Sequence, residues 1–190
     1  MQADARPKTT DGTLEVRADD SYLLRFERRL AHPPEKVWRA LTDPDQLRRW
    51  FPTDIDGERR LGARIRFVFR EDAPTAAELP ELLEHDPVDL EGEFTEFDPP
   101  RVLAYTWGEE KLRWELDPIE EGCRLVFTHT FDERSGIPHP GGPRKKAART
   151  ASGWEICLAN LASILDGSTN GDSAEPDWGE LYQAYVGRFD

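Results

Sequence analysis

From Pro143 to Asp166, small or apolar residues recur at Ala147, Ala151, Trp154, Leu158, Leu161 and Leu165, in steps of 4, 3, 4, 3 and 4. That spacing predicts one long helix with a single apolar stripe, and Gly167 stands where such a helix stops. A helix this one-sided needs a wide apolar surface to lie on. The residues before it provide one. Tyr22, Leu24, Phe26, Arg28 and Leu30 alternate with Leu23, Arg25, Glu27 and Arg29; Ile65, Phe67 and Phe69 alternate with Arg64, Arg66, Val68 and Arg70. Both read as strands with one wet face. Val88 to Phe97 continues the pattern until Asp98-Pro99-Pro100 forces a turn, and Leu103, Tyr105 and Trp107 follow. Leu112, Trp114 and Leu116 end at Asp117-Pro118, and Glu121-Gly122 turns the chain into Leu125, Phe127, His129 and Phe131. Short turns between successive strands make a meander, hence an antiparallel sheet.

Between the first two strands lies a pair of short helices. Pro33 and Pro34 suit a first helical turn, and Val37, Trp38 and Leu41 then share a face. Asp43 is placed to cap a second helix with Pro44 at its first position, on which Leu47, Trp50 and Phe51 fall at i, i+3 and i+4. Helices so short form only against something larger.

The domain reading is therefore a mobile arm over 1–20, a packed domain over 21–167, a polar linker over 168–176 and a last helix over 177–190. Asp177-Trp178-Gly179-Glu180 reads as its cap, and Leu181, Tyr182, Tyr185, Val186 and Phe189 share one face. That helix packs on the domain or on a partner. Ala76, Leu79, Leu82 and Leu83 predict a further short acidic helix within 71–87. A chain of 190 residues is long enough to bury a sizeable core.

A formal charge of −13 disfavours nucleic acid and an anionic membrane surface, since phosphate binding needs a basic stripe. Residues 1–20 carry no apolar segment of a signal peptide, and no run approaches the roughly 20 apolar residues of a spanning helix. Cys123 and Cys157, without CxxC spacing, read as reduced structural thiols, which implies a cytoplasmic setting.

The order of these pieces resembles the START-like, helix-grip superfamily called SRPBCC, and within it homologues of the activator of the heat-shock-protein-90 ATPase. The matching residues are Val37-Trp38 through Leu41-Thr42-Asp43-Pro44, Trp50-Phe51, Gly62, Gly92-Glu93 with Asp98-Pro99-Pro100-Arg101, Leu103 with Trp107, Thr128-His129 and Gly153-Trp154. The resemblance implies an α+β fold: a six- to seven-stranded antiparallel sheet curved around the long C-terminal helix, with two short helices after the first strand. It also implies a cavity between sheet and helix.

With the more apolar parity of each strand turned inward, the interior collects Phe26, Ile65, Phe67, Phe69, Phe94, Leu103, Tyr105, Trp107, Leu112, Trp114, Phe127, Phe131, Trp154 and Leu158. So aromatic a set suits a pocket for a flat or greasy molecule as well as a close-packed core. The candidate ligand-binding residues are Phe26, Phe67, Phe94, Tyr105, Trp107, Trp114, Phe127, His129, Trp154 and Leu158. His129 is the one catalytic candidate, as general acid or base, or as a donor to a ligand carbonyl. Its plainer role is a buried histidine bonded to Tyr105 or a backbone carbonyl, and no sequence neighbour completes a relay. Arg28 and Glu96 also share the inward parity, where charge needs a partner, a ligand head or a strand irregularity that returns it to water.

Ser135 to Pro143 reads as a strand-to-helix connector placed to border the cavity, and Arg144-Lys145-Lys146 as a solvated basic first turn. His32, His85, His129 and His139 are scattered, so no metal or other cofactor is expected. The expected function is binding of a small hydrophobic or amphipathic molecule. The alternatives are a co-chaperone-like contact module that activates an ATPase, and a cofactor-free cyclase, dehydratase or hydrolase. Expected partners are the small molecule, with no nucleic acid and no membrane insertion, and either a homodimer mate or a chaperone.

Overall fold

The alternation along the chain produces strands that pair in succession. The computed structural model describes residues 10–70, 90–136, 139–168 and 177–190. Its strands are β1 (Thr10–Val16), β2 (Tyr22–Leu30), β3 (Thr53–Asp56), β4 (Arg64–Phe69), β5 (Leu90–Asp98), β6 (Val102–Trp107), β7 (Glu110–Ile119) and β8 (Gly122–Phe131). They form one antiparallel sheet of eight strands in the order β1-β2-β8-β7-β6-β5-β4-β3. Helices α1 (Pro34–Thr42) and α2 (Pro44–Leu47) leave the sheet after β2. Helix α3 (Pro143–Leu165) shares one core with the sheet, and α4 (Trp178–Phe189) contributes Tyr185 and Phe189 to it. The fold is α+β with a long helix gripped by an open sheet.

Every residue of the α3 stripe is buried. The helix has no acidic residue or side-chain cap at its start, and Gly142 takes φ +87° there, a value that suits glycine. Asp43 joins the two short helices: its amide donates to the Arg39 carbonyl (2.8 Å), while its carboxylate accepts from the amides of Asp45 and Gln46 (3.1 Å each). Trp50 and Phe51 are fully buried but lie beyond α2, which stops at Leu47 rather than carrying them as the spacing predicted. A backbone turn continues to Phe51, whose amide donates to the Leu47 carbonyl at 2.8 Å, and the Trp50 indole donates to the Ala40 carbonyl at 2.8 Å, tying that turn back to α1.

The eight strands exceed the expected six or seven, and β1 and β3 are the two that the alternation did not mark. β3 is four residues long, too short to show a period. β1 lies inside the stretch read as a mobile arm. It is an edge strand held by pairing, Leu14 opposite Leu24 and Val16 opposite Tyr22, rather than by an apolar face of its own. The expected helix within 71–87 and most of the 168–176 linker lie outside the described residues.

A bulge in β5 between Phe94 and Glu96 reverses the expected parity. Glu96 therefore points outward and pairs with Arg113 at 2.8 Å, while Phe97 turns back toward Trp38, edge to face at 5.4 Å. Gly92 packs so closely on β6 that a Cβ there would meet the Thr106 carbonyl oxygen at 2.0 Å. Among the described residues no helix is long and apolar enough to cross a membrane.

Arg59 ties the end of α1 to the β3–β4 turn. Its guanidinium donates to the carbonyls of Thr42 (3.0 Å), Gly57 (2.9 Å) and Ile55 (2.8 Å) and lies over the Phe94 ring. Loss of these charge-assisted bonds in Arg59→Ala is expected to lower unfolding free energy by about 2 kcal/mol in urea titrations. Arg59→Lys, which lacks the planar fork, restores only part of it. An alanine variant as stable as wild type would show that the clip contributes nothing.

Candidate functional site

The inner face of the β7–β8 ladder carries the first polar cluster. Leu112 stands opposite His129, so Glu110 and His129 are diagonal neighbours on that face, within reach of long side chains. His129 Nε2 lies 2.7 Å from Glu110 Oε2, and the Trp154 indole N–H donates to His129 Nδ1 at 2.9 Å. An indole nitrogen only donates. Nδ1 therefore carries a lone pair, the proton sits on Nε2, and it is donated to Glu110. Glu110 Oε1 accepts from the Lys146 ammonium at 2.8 Å and from the Ser135 hydroxyl at 3.2 Å. Lys146 also donates to the Ser135 carbonyl and lies 4.8 Å from the centre of the Phe131 ring.

Glu110, His129 and Lys146 are all buried. Burial alone would raise the Glu110 pKa, but the hydrogen bond from His129 and the neighbouring Lys146 charge prevail and hold it down at about 2. Lys146 was expected in a solvated basic turn; instead its ammonium turns inward, because it is the cation that lets Glu110 stay charged in the interior. His129 bonds to Glu110 and Trp154, not to Tyr105 or a backbone carbonyl. Glu110 supplies the second group that a relay would need, yet neither ring nitrogen of His129 is free to take a proton from a substrate. Glu110 shares the parity of Leu112, Trp114 and Leu116, the one sequence signal that would have found it.

A second polar cluster joins β1, β2, α3 and α4. Arg28 forms an ion pair with Glu155, whose carboxylate also accepts from the Tyr185 hydroxyl. The Gly12 amide donates to Tyr185 Oη at 2.6 Å and to Glu155 at 3.2 Å. Arg28 is thus an internal partner for α3.

The aromatic residues divide into two groups. On the β7–β8 side, Trp114 stacks on Phe127 at 3.9 Å, Phe127 meets Trp154 at 4.4 Å, and Phe26 stacks on Phe127 at 5.9 Å. Together with Leu158 these side chains form closely packed core. On the β4–β6 side, Phe67 and Phe94 are buried beside Tyr105, but Trp107 and Phe69 are only half-buried. Trp107 lies 4.3 Å from Phe67, 5.7 Å from Phe51 and 6.0 Å from Phe69. The Tyr105 hydroxyl accepts from the Trp114 indole at 3.3 Å, and burial raises its pKa well above the usual phenol range. A depression of about 470 Å³ lies elsewhere, bordered by Glu133, Arg134, His139, Gly142, Pro143 and Lys146.

Cys123 and Cys157 are buried thiols not joined in a disulfide, and burial pushes Cys123 up to about 11. Among the described residues no three His, Cys, Asp or Glu side chains cluster as metal ligands.

The Glu110 carboxylate is held below its unfolded value, so its contribution is complete above about pH 4.5 and is lost as pH falls toward 2. Glu110→Gln is expected to cost about 3 kcal/mol near neutrality by leaving Lys146 buried without a counter-charge. The gap from wild type should shrink steadily between pH 4.5 and 2 in thermal unfolding curves. A gap that does not change with pH would rule out a charged Glu110.

The family model described as Activator of Hsp90 ATPase homolog 1-like protein matches residues 31–166. No curated protein matches the chain. Among solved structures, a conserved protein of unknown function from Enterococcus faecalis is 21% identical, with a TM-score of 0.68 over 93% of this chain and 89% of that one. A protein from Bordetella parapertussis is 29% identical, with a TM-score of 0.63 over 96% and 92% of the two chains. CalU16 from Micromonospora echinospora is 20% identical, with a TM-score of 0.63 over 97% and 95%. The grip architecture, the core and the extent of the match together place this chain in the Activator of Hsp90 ATPase homolog 1-like family.

Proposed function

We propose that the protein binds a small hydrophobic or amphipathic molecule on the inner face of β4–β6, against Phe67, Phe69 and Trp107. The observation that carries this reading is the uneven burial of the rings. Phe67 is 1% exposed, whereas its neighbours Trp107 and Phe69 keep part of their ring surface open. Large apolar rings left partly open beside a closed core are the composition of a binding wall. On the β7–β8 side Trp114, Phe127 and Trp154 already fill one another's contact distance, so those residues support the wall from behind. His129 does the same through Trp154. Catalysis is not part of the proposal, since both His129 nitrogens are committed.

The test is native mass spectrometry of protein purified gently from its own host, compared with the denatured mass. An extra mass is expected, and Trp107→Ala should remove it while leaving a folded protein. Trp107 is the residue to change because it is half-buried; Trp154→Ala would hollow the core at about 3–5 kcal/mol. A retained extra mass in a folded Trp107→Ala variant would defeat this placement.

A further inference from the structure

The wall just described contains a polar atom with nothing to bond. Thr53 is fully buried, and its Oγ1 has no hydrogen-bond partner. Its direction follows from the ladder. On β3, Thr53 and Ile55 are buried, while Asp54 and Asp56 alternate with them and pair with arginines: Asp54 with Arg48 and Arg70, Asp56 with Arg66. Thr53 stands opposite Phe69 and Ile55 opposite Phe67. Residues directly opposite in a ladder share a face and touch. The orphan hydroxyl therefore belongs to the same surface as Phe67, Phe69 and Trp107.

Buried hydroxyls in native proteins are almost always satisfied, by protein, water or ligand, because leaving one bare among apolar atoms is costly. A valine would fill the same space at no such cost. We infer that Thr53 is the polar anchor of the binding wall, its hydroxyl bonding a carbonyl or hydroxyl oxygen of an otherwise apolar, uncharged ligand whose flat body lies on Phe69 and Trp107. This rests on the binding reading above and narrows it. The charged residues on β3, Asp54 and Asp56, pair with arginines of neighbouring elements rather than facing Thr53, so the anchor offers a single neutral hydrogen bond and no counter-charge. The ligand class is accordingly a neutral amphiphile with an oxygen at one end.

Two probes of nearly equal shape test this: 2-acetylnaphthalene, which has a carbonyl oxygen, and 2-ethylnaphthalene, which has none. Their affinities are read from tryptophan fluorescence and checked by equilibrium dialysis, on wild type, Thr53→Val and Thr53→Ser. The acetyl-to-ethyl affinity ratio is expected to fall about tenfold in Thr53→Val, the value of one ordinary hydrogen bond, and to persist in Thr53→Ser. The melting temperature of ligand-free Thr53→Val should be equal to or above that of wild type, since no protein bond is lost. An unchanged ratio in all three proteins, with both probes bound, overturns the anchor and leaves the binding wall standing. A clear drop in the valine variant's melting temperature also overturns it, by showing that the hydroxyl is already satisfied. Failure of wild type to bind either probe removes the wall itself, and the anchor with it.

Discussion

Trp154 determines where the long helix sits on the sheet. An apolar stripe is attracted to an apolar face wherever the two meet, because the hydrophobic effect has no direction. The α3 stripe alone, with alanine at two positions and leucine at three, would tolerate sliding. Trp154 removes that freedom in two ways. Its ring meets Phe127 at 4.4 Å, Trp114 at 5.9 Å and Phe51 at 5.9 Å, so three separate parts of the chain converge on it. Its N–H then bonds His129, and an N–H has one direction. From that bond the chain of partners runs through Glu110 to Lys146, two turns back on the same helix. α3 is thus fastened to β7 and β8 at two points of its own length, and its rotation and register are both set.

The same fastening explains why one half of the aromatic interior is closed and the other is not. Rings gathered around Trp154 are held at contact distance by a helix that cannot move away. Rings on β4 and β6 lie farther from that anchor, and there Trp107 and Phe69 retain open surface. The Trp114–Phe127–Trp154 cluster gives those partly open rings a stiff backing.

Much of this architecture is legible in the residues. The α3 stripe, the strand parities and the Asp43 cap each follow from a spacing that one physical rule explains. What was not legible has equally physical reasons. β1 has no apolar face, so no periodicity announces it; pairing with β2 and a bond to a residue far along the chain hold it in place. A single bulge at Phe94–Glu96 reverses the facing of every later β5 side chain, and nothing in the local composition signals it. Glu110 and Lys146 look like surface charges because each is buried only by virtue of the other. Thr53 has the same difficulty in another form: a hydroxyl without a partner is a property of three-dimensional surroundings, and threonine in a four-residue strand reads as ordinary.

The hydrogen bond from the Gly12 amide to the Tyr185 hydroxyl spans 173 residues of sequence. Glu155 lies between them and binds both, and Arg188 adds a contact to the Gly12 carbonyl at 3.4 Å. The first described strand and the last helix therefore share one carboxylate, and neither has its full set of bonds until both have arrived. Loop closure of that length is entropically costly and is rewarded only once α4 is in place. On a ribosome it must wait until Tyr185 has emerged. The edge of the sheet at β1 therefore stays unfinished until α4 has been made.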